Sequence, residues 1–452
     1  MAPDKLDLRD KAFEVLMIVA DRAEAEVTVS EGRHALTRFA NSFIHQNVAE
    51  DHRWARLKLV IDGRSASGST NRLDHDSLVR LVDETLEAAA LRPVDPDWPG
   101  LAPPTAWLTL EDDRWDRETQ FAEPGARAQV VKDFVDAGGD GGPRADLRAA
   151  GICSTSGWDT YFANNAQHRA GGRATLAAVD AIQRTATSDS RGWQFAPRLS
   201  ELDGSAAGRL AAERARATAN AVDIEPGPYE VVLEPACVAD MLDFLADGFN
   251  AKTYAEGRSW IKPKAALLDE SIDIWDDVND HRSIGVSFDA EGTPKSQRML
   301  VREGVCRALV HDRRTAKRAG TRSSGHAVPG GEVSGPVPTS LFLAGGDQSP
   351  EELIADVERG LLVTDFWYTR ILDPKTQVVT GLTRNGTFLV EKGKITGAVR
   401  NLRFTQSYVE ALGPGNVLGV GDDARLYEMW GGTAHVPSLR LASWNFTGGA
   451  KG

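Results

Sequence analysis

The chain has little cysteine, no long apolar run and no surplus of positive charge. Its three cysteines, Cys153, Cys237 and Cys306, are odd in number and far apart. That excludes a disulfide framework and a CxxC zinc ribbon, and it fits a reducing compartment. No apolar stretch approaches the roughly 20 residues that a membrane-spanning helix needs, so no membrane association is expected. Residues 1–10 are charged and lack the apolar core of a signal peptide, so a cytoplasmic location is expected. Lysine and arginine number 52 against 65 aspartates and glutamates, a net charge of −13. Binding to a phosphate backbone needs a basic footprint, so nucleic acid is not an expected partner. The densest basic run, Arg313-Arg314-Thr315-Ala316-Lys317-Arg318, follows Asp312 and reads as a solvated helix face.

What is present is an ordinary globular composition, 41% hydrophobic and 26% charged over 452 residues, enough for two domains and a large core. An amphipathic helix over 8–20 is followed by alternating, strand-like runs beginning at 26, 34 and 53, with Gly32 and Gly63 read as the turns between them. Residues 74–91 carry Leu78, Leu81, Val82 and Leu86 at helical spacing. A glycine-rich connection at 137–144, strands around 158–163 and 173–179, and an alanine-rich helix over 206–221 complete the first half. Pro226-Gly227-Pro228 cannot continue that helix and suggests a domain boundary. The second half opens with a strand over 229–233 and a helix over 237–249. Strands and turns follow, with helices expected near 296–308 and 351–360. The expected class is α+β. An N-terminal α/β domain with an antiparallel sheet, residues 1–222, precedes a strand-rich C-terminal domain, residues 223–452.

Arg38-Phe39-Ala40-Asn41-Ser42-Phe43-Ile44-His45-Gln46 and Thr70-Asn71-Arg72-Leu73-Asp74 are similar to the R-F-A-N-x-x-I-x-Q strand and the T-N-x-L-D of the TldD/PmbA family, also called modulators of DNA gyrase. Asp289-Ala290-Glu291-Gly292-Thr293-Pro294 resembles its D-x-E-G-x-P turn. Ser349-Pro350-Glu351-Glu352-Leu353-Ile354 and Val390-Glu391-Lys392-Gly393-Lys394-Ile395 follow in the family's order. The resemblance implies a curved or barrel-like sheet in the second domain. It also implies a two-subunit protease acting on unfolded or short peptides, leader peptides included. Its TldD-type chain holds zinc through H-E-x-x-x-H and a later cysteine, and its TldE-type chain lacks these ligands.

Aligned on the strand Val231-Val232-Leu233, the two histidine positions of that motif fall on Asp243 and Gly248, and the glutamate position on Phe244. No cysteine follows Cys306; the corresponding C-terminal stretch holds His435 instead. The resemblance therefore implies a TldE/PmbA-type subunit with no cofactor of its own, paired as a heterodimer with a zinc-bearing TldD-type subunit. Asp247 shares a helical face with Asp243, and Asp247 and His435 are candidates to face a peptide cleft. His326, Arg322 and Arg440 are read as surface or hydrogen-bonding residues. The aspartates at 273, 276, 277 and 280, with His281, are read as a structural turn, and Cys153 as buried and inert. Two rival functions are a homo-oligomeric peptidase with its own non-zinc site at Asp243 and Asp247, and a regulatory protein-binding module.

Overall fold

A computed structural model describes residues 7–105, 114–139 and 146–449. Residues 140–144 of the glycine-rich connection lie outside them. The first sheet contains β1 (Glu24–Ala40), β2 (Phe43–Ile61), β3 (Arg64–Thr70), β4 (Arg148–Asn164), β5 (Arg169–Arg184) and β6 (Asp189–Ala196), in the order β3-β2-β1-β4-β5-β6. Every pairing in it is antiparallel. The expected break at Gly32 does not occur. β1 runs straight through it, because a side chain there would meet His52 Nε2 at 2.5 Å and the Gly157 carbonyl at 2.9 Å. Glycine lets three strands pass closely, and the turn falls instead at Asn41 and Ser42, with φ of 51° and 65°. Two consecutive left-handed residues make the tight turn that matches strand twist.

Helices α1 (Leu8–Val19) and α2 (His75–Ala90) cover one face of this sheet, α2 being capped by the Asp74 carboxylate. Further along the chain come α3 (Arg117–Gln120), α4 (Pro124–Asp136) and α5 (Gly204–Ala217). Helix α5 buries only Gly204, Ala207, Gly208, Ala211, Ala212 and Ala215, so it lies unusually close to β6 and α4.

Strands from Gly227 onward form two further sheets. Those strands are β7 (Gly227–Leu233), β8 (Ile274–Asp276), β9 (Arg298–Arg302), β10 (Val305–Cys306), β11 (Ser340–Leu343), β12 (Arg359–Asp373) and β13 (Val378–Glu391). They continue with β14 (Lys394–Ala398), β15 (Leu402–Ser407), β16 (Val417–Val420), β17 (Arg425–Met429), β18 (Gly432–Val436) and β19 (Leu439–Gly449). One sheet has the order β10-β9-β8-β11-β18-β17. In the other, β12 pairs with β7, β7 with β19, β19 with β15, β15 with β13, and β13 back with β12. That circuit closes the barrel-like sheet and leaves its five members no free edge. Trp444, fully buried, packs against Phe366, Phe404 and Tyr408 at ring-centroid distances of 5.2, 5.3 and 5.6 Å.

Two expected helices read differently here. Residues 296–308 form the hairpin β9–β10, because Glu303 and Gly304 take φ of 50° and 69° and turn the chain back. The helix expected over 351–360 ends at Ala355 and the chain enters β12 at Arg359; its start is fixed by a Ser349–Glu352 capping box.

Arg191 on β6 joins the first sheet to the other two. Its guanidinium grips Asp180 with both oxygens at 2.6 and 2.8 Å, and Nη1 reaches Asp365 on β12 and Tyr427 on β17, each at 3.0 Å. Burial pushes the Asp365 carboxyl up, and the Arg191 cation opposes it. The basic run at 313–318 acts likewise within the molecule. Arg314 pairs with Asp95, Arg318 with Asp97, Arg313 donates to the Leu101 carbonyl and Lys317 to that of Trp98. Lys317 and Arg318 do stand at the solvated surface, while Arg313 and Arg314 are half-buried, and together the run fastens the proline-rich loop after α2. Removing one member of a buried ion pair strands the others, so Arg191→Leu is expected to cost about 3–5 kcal/mol in urea unfolding.

Candidate functional site

Helix α6 (Pro235–Ala246) follows β7 directly, with Pro235 at its first position, where the missing N–H costs nothing. Cys237, Val238, Met241, Leu242 and Leu245 face the core, and all are essentially inaccessible. The opposite stripe carries Asp240, Asp243, Phe244 and Asp247, spaced so that all share one face. A cleft of about 810 Å³ opens along this stripe. Its other walls come from residues 336–338, the β12–β13 hairpin and the end of β17, with Phe366, Ile371, Met429 and Trp430 supplying apolar surface.

Asp243, Phe244 and Asp247 line the cleft together. Gly248 does not; it lies beyond the α-helix in a 3-10 turn, where a Cβ would come within 1.9 Å of Trp260 Nε1. That indole N–H donates to the Leu245 carbonyl at 3.0 Å and closes the end of α6. His435 also lies elsewhere. It stands opposite Leu426 on β18, on the sheet face away from Ala434 and Tyr427, with its ring 5.6 Å from that of Phe342. Burial and the nearby Arg282 cation push its imidazole down to about 4. Alternation along the strand explains this: a one-residue difference moves a side chain to the other face.

The residue that sequence reading missed is Asp240. Its carboxylate accepts from Thr369 Oγ1 at 2.7 Å and from the Tyr408 hydroxyl at 2.9 Å. Burial pushes it up to about 7, against those two hydrogen bonds and with the help of Asp243 and Asp365. Burial also raises Asp243, opposed by the Trp430 backbone N–H. The signal was available, since 240, 243 and 247 repeat at helical spacing, but the tyrosine and threonine partners come from distant segments.

A second polar relay was likewise not legible in the sequence. Ser324 Oγ lies 2.9 Å from His326 Nδ1, and His326 Nε2 lies 3.0 Å from Asp276 Oδ1, the order of a Ser–His–Asp triad. Here it is structural. The His311 backbone N–H donates to Ser324 Oγ at 2.7 Å, His326 is 1% exposed, and Asp276 also accepts the Ser340 N–H. Burial alone would raise Asp276, but the His326 hydrogen bond holds it below the usual carboxylate range. Asp277 and Asp280 close local turns by accepting the Asn279 and Arg282 N–H groups, and Arg440 pairs with Glu230. Cys153 is buried and its thiol is pushed up to about 12, which suits packing and not nucleophilic attack.

Residues 226–448 match the sequence profile of the PmbA/TldA metallopeptidase C-terminal domain. The chain belongs to the TldD/PmbA family. A metalloprotease of Methanothermobacter thermautotrophicus is 27% identical over 231 residues, 48% of either chain. A TldD-homologous metalloprotease of Buchnera aphidicola is 25% identical over 191 residues, 42% of this chain and 38% of that one. The chain thus spans about half or less of the length of these relatives. TldE from Thermococcus kodakarensis shares the fold with a TM-score of 0.86 at 17% identity, covering 97% of this chain and 99% of that one. A modulator of DNA gyrase from Bacteroides thetaiotaomicron does so with a TM-score of 0.84 at 19% identity, over 99% and 100% of the two chains.

Zinc chemistry in this family calls for imidazole and thiolate ligands. The cleft does not fit them: among the described residues neither histidine nor cysteine lines it, and no three His, Cys, Asp or Glu side chains are placed to hold an ion. Cys237, the cysteine on α6, points into the core and donates to the Val363 carbonyl at 3.5 Å.

The raised Asp240 carboxyl sets a pH dependence. Between its ordinary range near 4 and its folded value of about 7, the native state binds a proton that the unfolded state has lost. Stability from this group is therefore complete below about 4 and lost as pH rises through 7. Asp240→Asn is expected to flatten the slope of unfolding free energy over this window by up to about 1.4 kcal/mol per pH unit, measured by denaturant melts from pH 5 to 8.

Proposed function

We propose that this chain is a TldE/PmbA-type, non-catalytic subunit that pairs with a zinc-bearing TldD-type chain in a cytoplasmic protease acting on unfolded and short peptides. The observation that carries the reading is the cleft along α6. Its volume of about 810 Å³ suits a ligand site, and Asp243 and Phe244, which the alignment on Val231-Val232-Leu233 sets at a histidine and the glutamate of the family's zinc motif, line it. The second histidine position is closed as well, because Trp260 fills the space a side chain at Gly248 would need. Restoring the motif by substitution would thus clash with the packing at the end of α6.

An exposed apolar strip beside the cleft is consistent with a partner chain. Trp367, Tyr368 and Leu372 on β12 are 50%, 66% and 59% exposed, and Trp430 at the cleft rim is 99% exposed. Large exposed side chains of this kind, Trp367 and Tyr368 touching at 5.4 Å between ring centroids, are what a second protein can cover. Enclosure of the cleft by that partner would exclude water and restrict access to extended chains. The partner supplies the Lewis acid and the activated water; this chain supplies a wall and contacts for the peptide.

The purified chain is expected to hold no stoichiometric zinc by elemental analysis and to cleave no unfolded peptide. Adding a TldD-type chain should give a one-to-one complex with peptidase activity that a chelator abolishes. Zinc retained at one equivalent by this chain alone, or peptide cleavage without the second chain, overturns the reading. Replacing Asp243, Phe244 and Gly248 together by His, Glu and His should lower the melting temperature without creating zinc binding.

A further inference from the structure

The hydrogen-bonding groups of the cleft are one-sided. Asp240, Asp243, Asp247, Asp365 and Glu428 line it, against Arg258 as the single cationic lining residue among those described. Arg258 is already engaged, with Nε and Nη2 on Glu256 at 3.0 and 2.6 Å. Asp365 is met by Arg191 from behind. Among the described residues, Asp240, Asp243, Asp247 and Glu428 make no ion pair. Asp240 has only hydroxyl donors, and Asp247 has the Thr253 hydroxyl at 3.2 Å.

A second, independent observation comes from Gln377. It lines the same cleft and is 2% exposed, its Nε2 is spent on the Pro374 carbonyl at 2.8 Å, and its Oε1 is buried with no partner. A buried acceptor left without a donor costs about 1–3 kcal/mol, so its persistence points to a donor that arrives with a ligand. Gln377 and Asp240 line the same cleft and are both tied to Tyr408, the Gln377 carbonyl accepting its N–H and Asp240 its hydroxyl. An anionic ligand would meet uncompensated carboxylates, and the donor set is not arranged for a metal ion. What remains is a cation rich in N–H groups, followed by apolar surface to pack on Phe244, Phe366 and Trp430.

Resting on the reading of this cleft as a peptide site, we propose that it selects peptides by a cationic N–H group, an N-terminal ammonium or a lysine or arginine side chain, received by Asp240, Asp243 and Gln377 Oε1. The apolar walls hold the residues next to that group. The subunit without the zinc ligands thereby contributes specificity: it orients the charged part of an extended peptide.

The test is calorimetric titration of the intact purified chain with four tetrapeptide amides of Ala-Leu-Phe-Ala type. One has a free amino terminus, one is N-acetylated, one is N-acetylated with lysine at the first position, and one is N-acetylated with glutamate there. The free-amine or the lysine peptide is expected to bind about tenfold or more tighter than the neutral acetylated one, and which of the two does so identifies the source of the cation. Affinity should fall with added salt. Asp243→Asn and Gln377→Met should each weaken binding of the preferred peptide by about tenfold while leaving the melting temperature near the parent value. Should either variant fail to fold, the parent's preference for cationic over acetylated and anionic peptides still decides. Equal affinity for the neutral peptide, preference for the glutamate peptide, no binding of any at millimolar concentration, or stoichiometric binding of calcium or magnesium that Asp243→Asn removes would each overturn the proposal. These readouts need neither zinc nor a second chain, so their failure is separable from failure of the subunit assignment.

Discussion

Everything at the cleft depends on a guanidinium that reaches across from another sheet. Arg191 leaves β6 with Asp180 as its own-sheet counterion and ends against Asp365 and Tyr427, both of which line the cleft. Without it, Asp365 would be a buried charge without a counterion near Asp240, although Trp193 and Phe195 would still pack on Tyr427 and Arg384 would still pair with Asp189. The ion pair's value is positional: burying charges is expensive, and the hydrogen-bonded geometry around Arg191 is what makes this arrangement tenable. Asp289 makes a comparable contribution at the turn before Pro294. It accepts the N–H groups of Glu291, Thr293 and Ala327, while the Gly292 carbonyl meets His168 Nε2 of the first half at 2.6 Å.

The cleft's chemistry follows from α6. Its exposed stripe presents carboxylates, and the helix runs out at a glycine pressed against Trp260. Under the proposed subunit role this wall discriminates between peptides without activating water, because unpaired acceptors reject a ligand that brings no donor.

How much of this was legible in the sequence depends on the range of the interaction involved. Local signals read well: the amphipathic run at 8–20 forms α1, and the helical spacing of Leu78, Leu81 and Val82 is the buried face of α2. They failed where a distant neighbour decided. Gly32 looks like a turn but is a crossing point set by His52 and Gly157, and the helix expected over 296–308 gives way to a turn at Glu303 and Gly304, where Asp273 accepts the Glu303 N–H and the Leu268 carbonyl leaves no room for a side chain on Gly304. His435 and Asp247 were equally plausible as cleft residues until strand alternation put His435 against Phe342 on the far face.

Residue identities alone were enough to establish the α+β class and the family, and to raise the expectation that Asp243, Phe244 and Gly248 fall at the zinc-motif positions, because those are matters of local pattern and of which chemical groups exist. Tertiary structure alone could raise the Asp240 carboxyl, place Gln377 with an unanswered acceptor, and make the basic run at 313–318 a clasp on the loop after α2. The physical reason is the same in each case. A side chain's charge state and free valence are set by what folds against it, and Thr369, Tyr408, Pro374 and Asp95 come from segments whose approach no local pattern encodes.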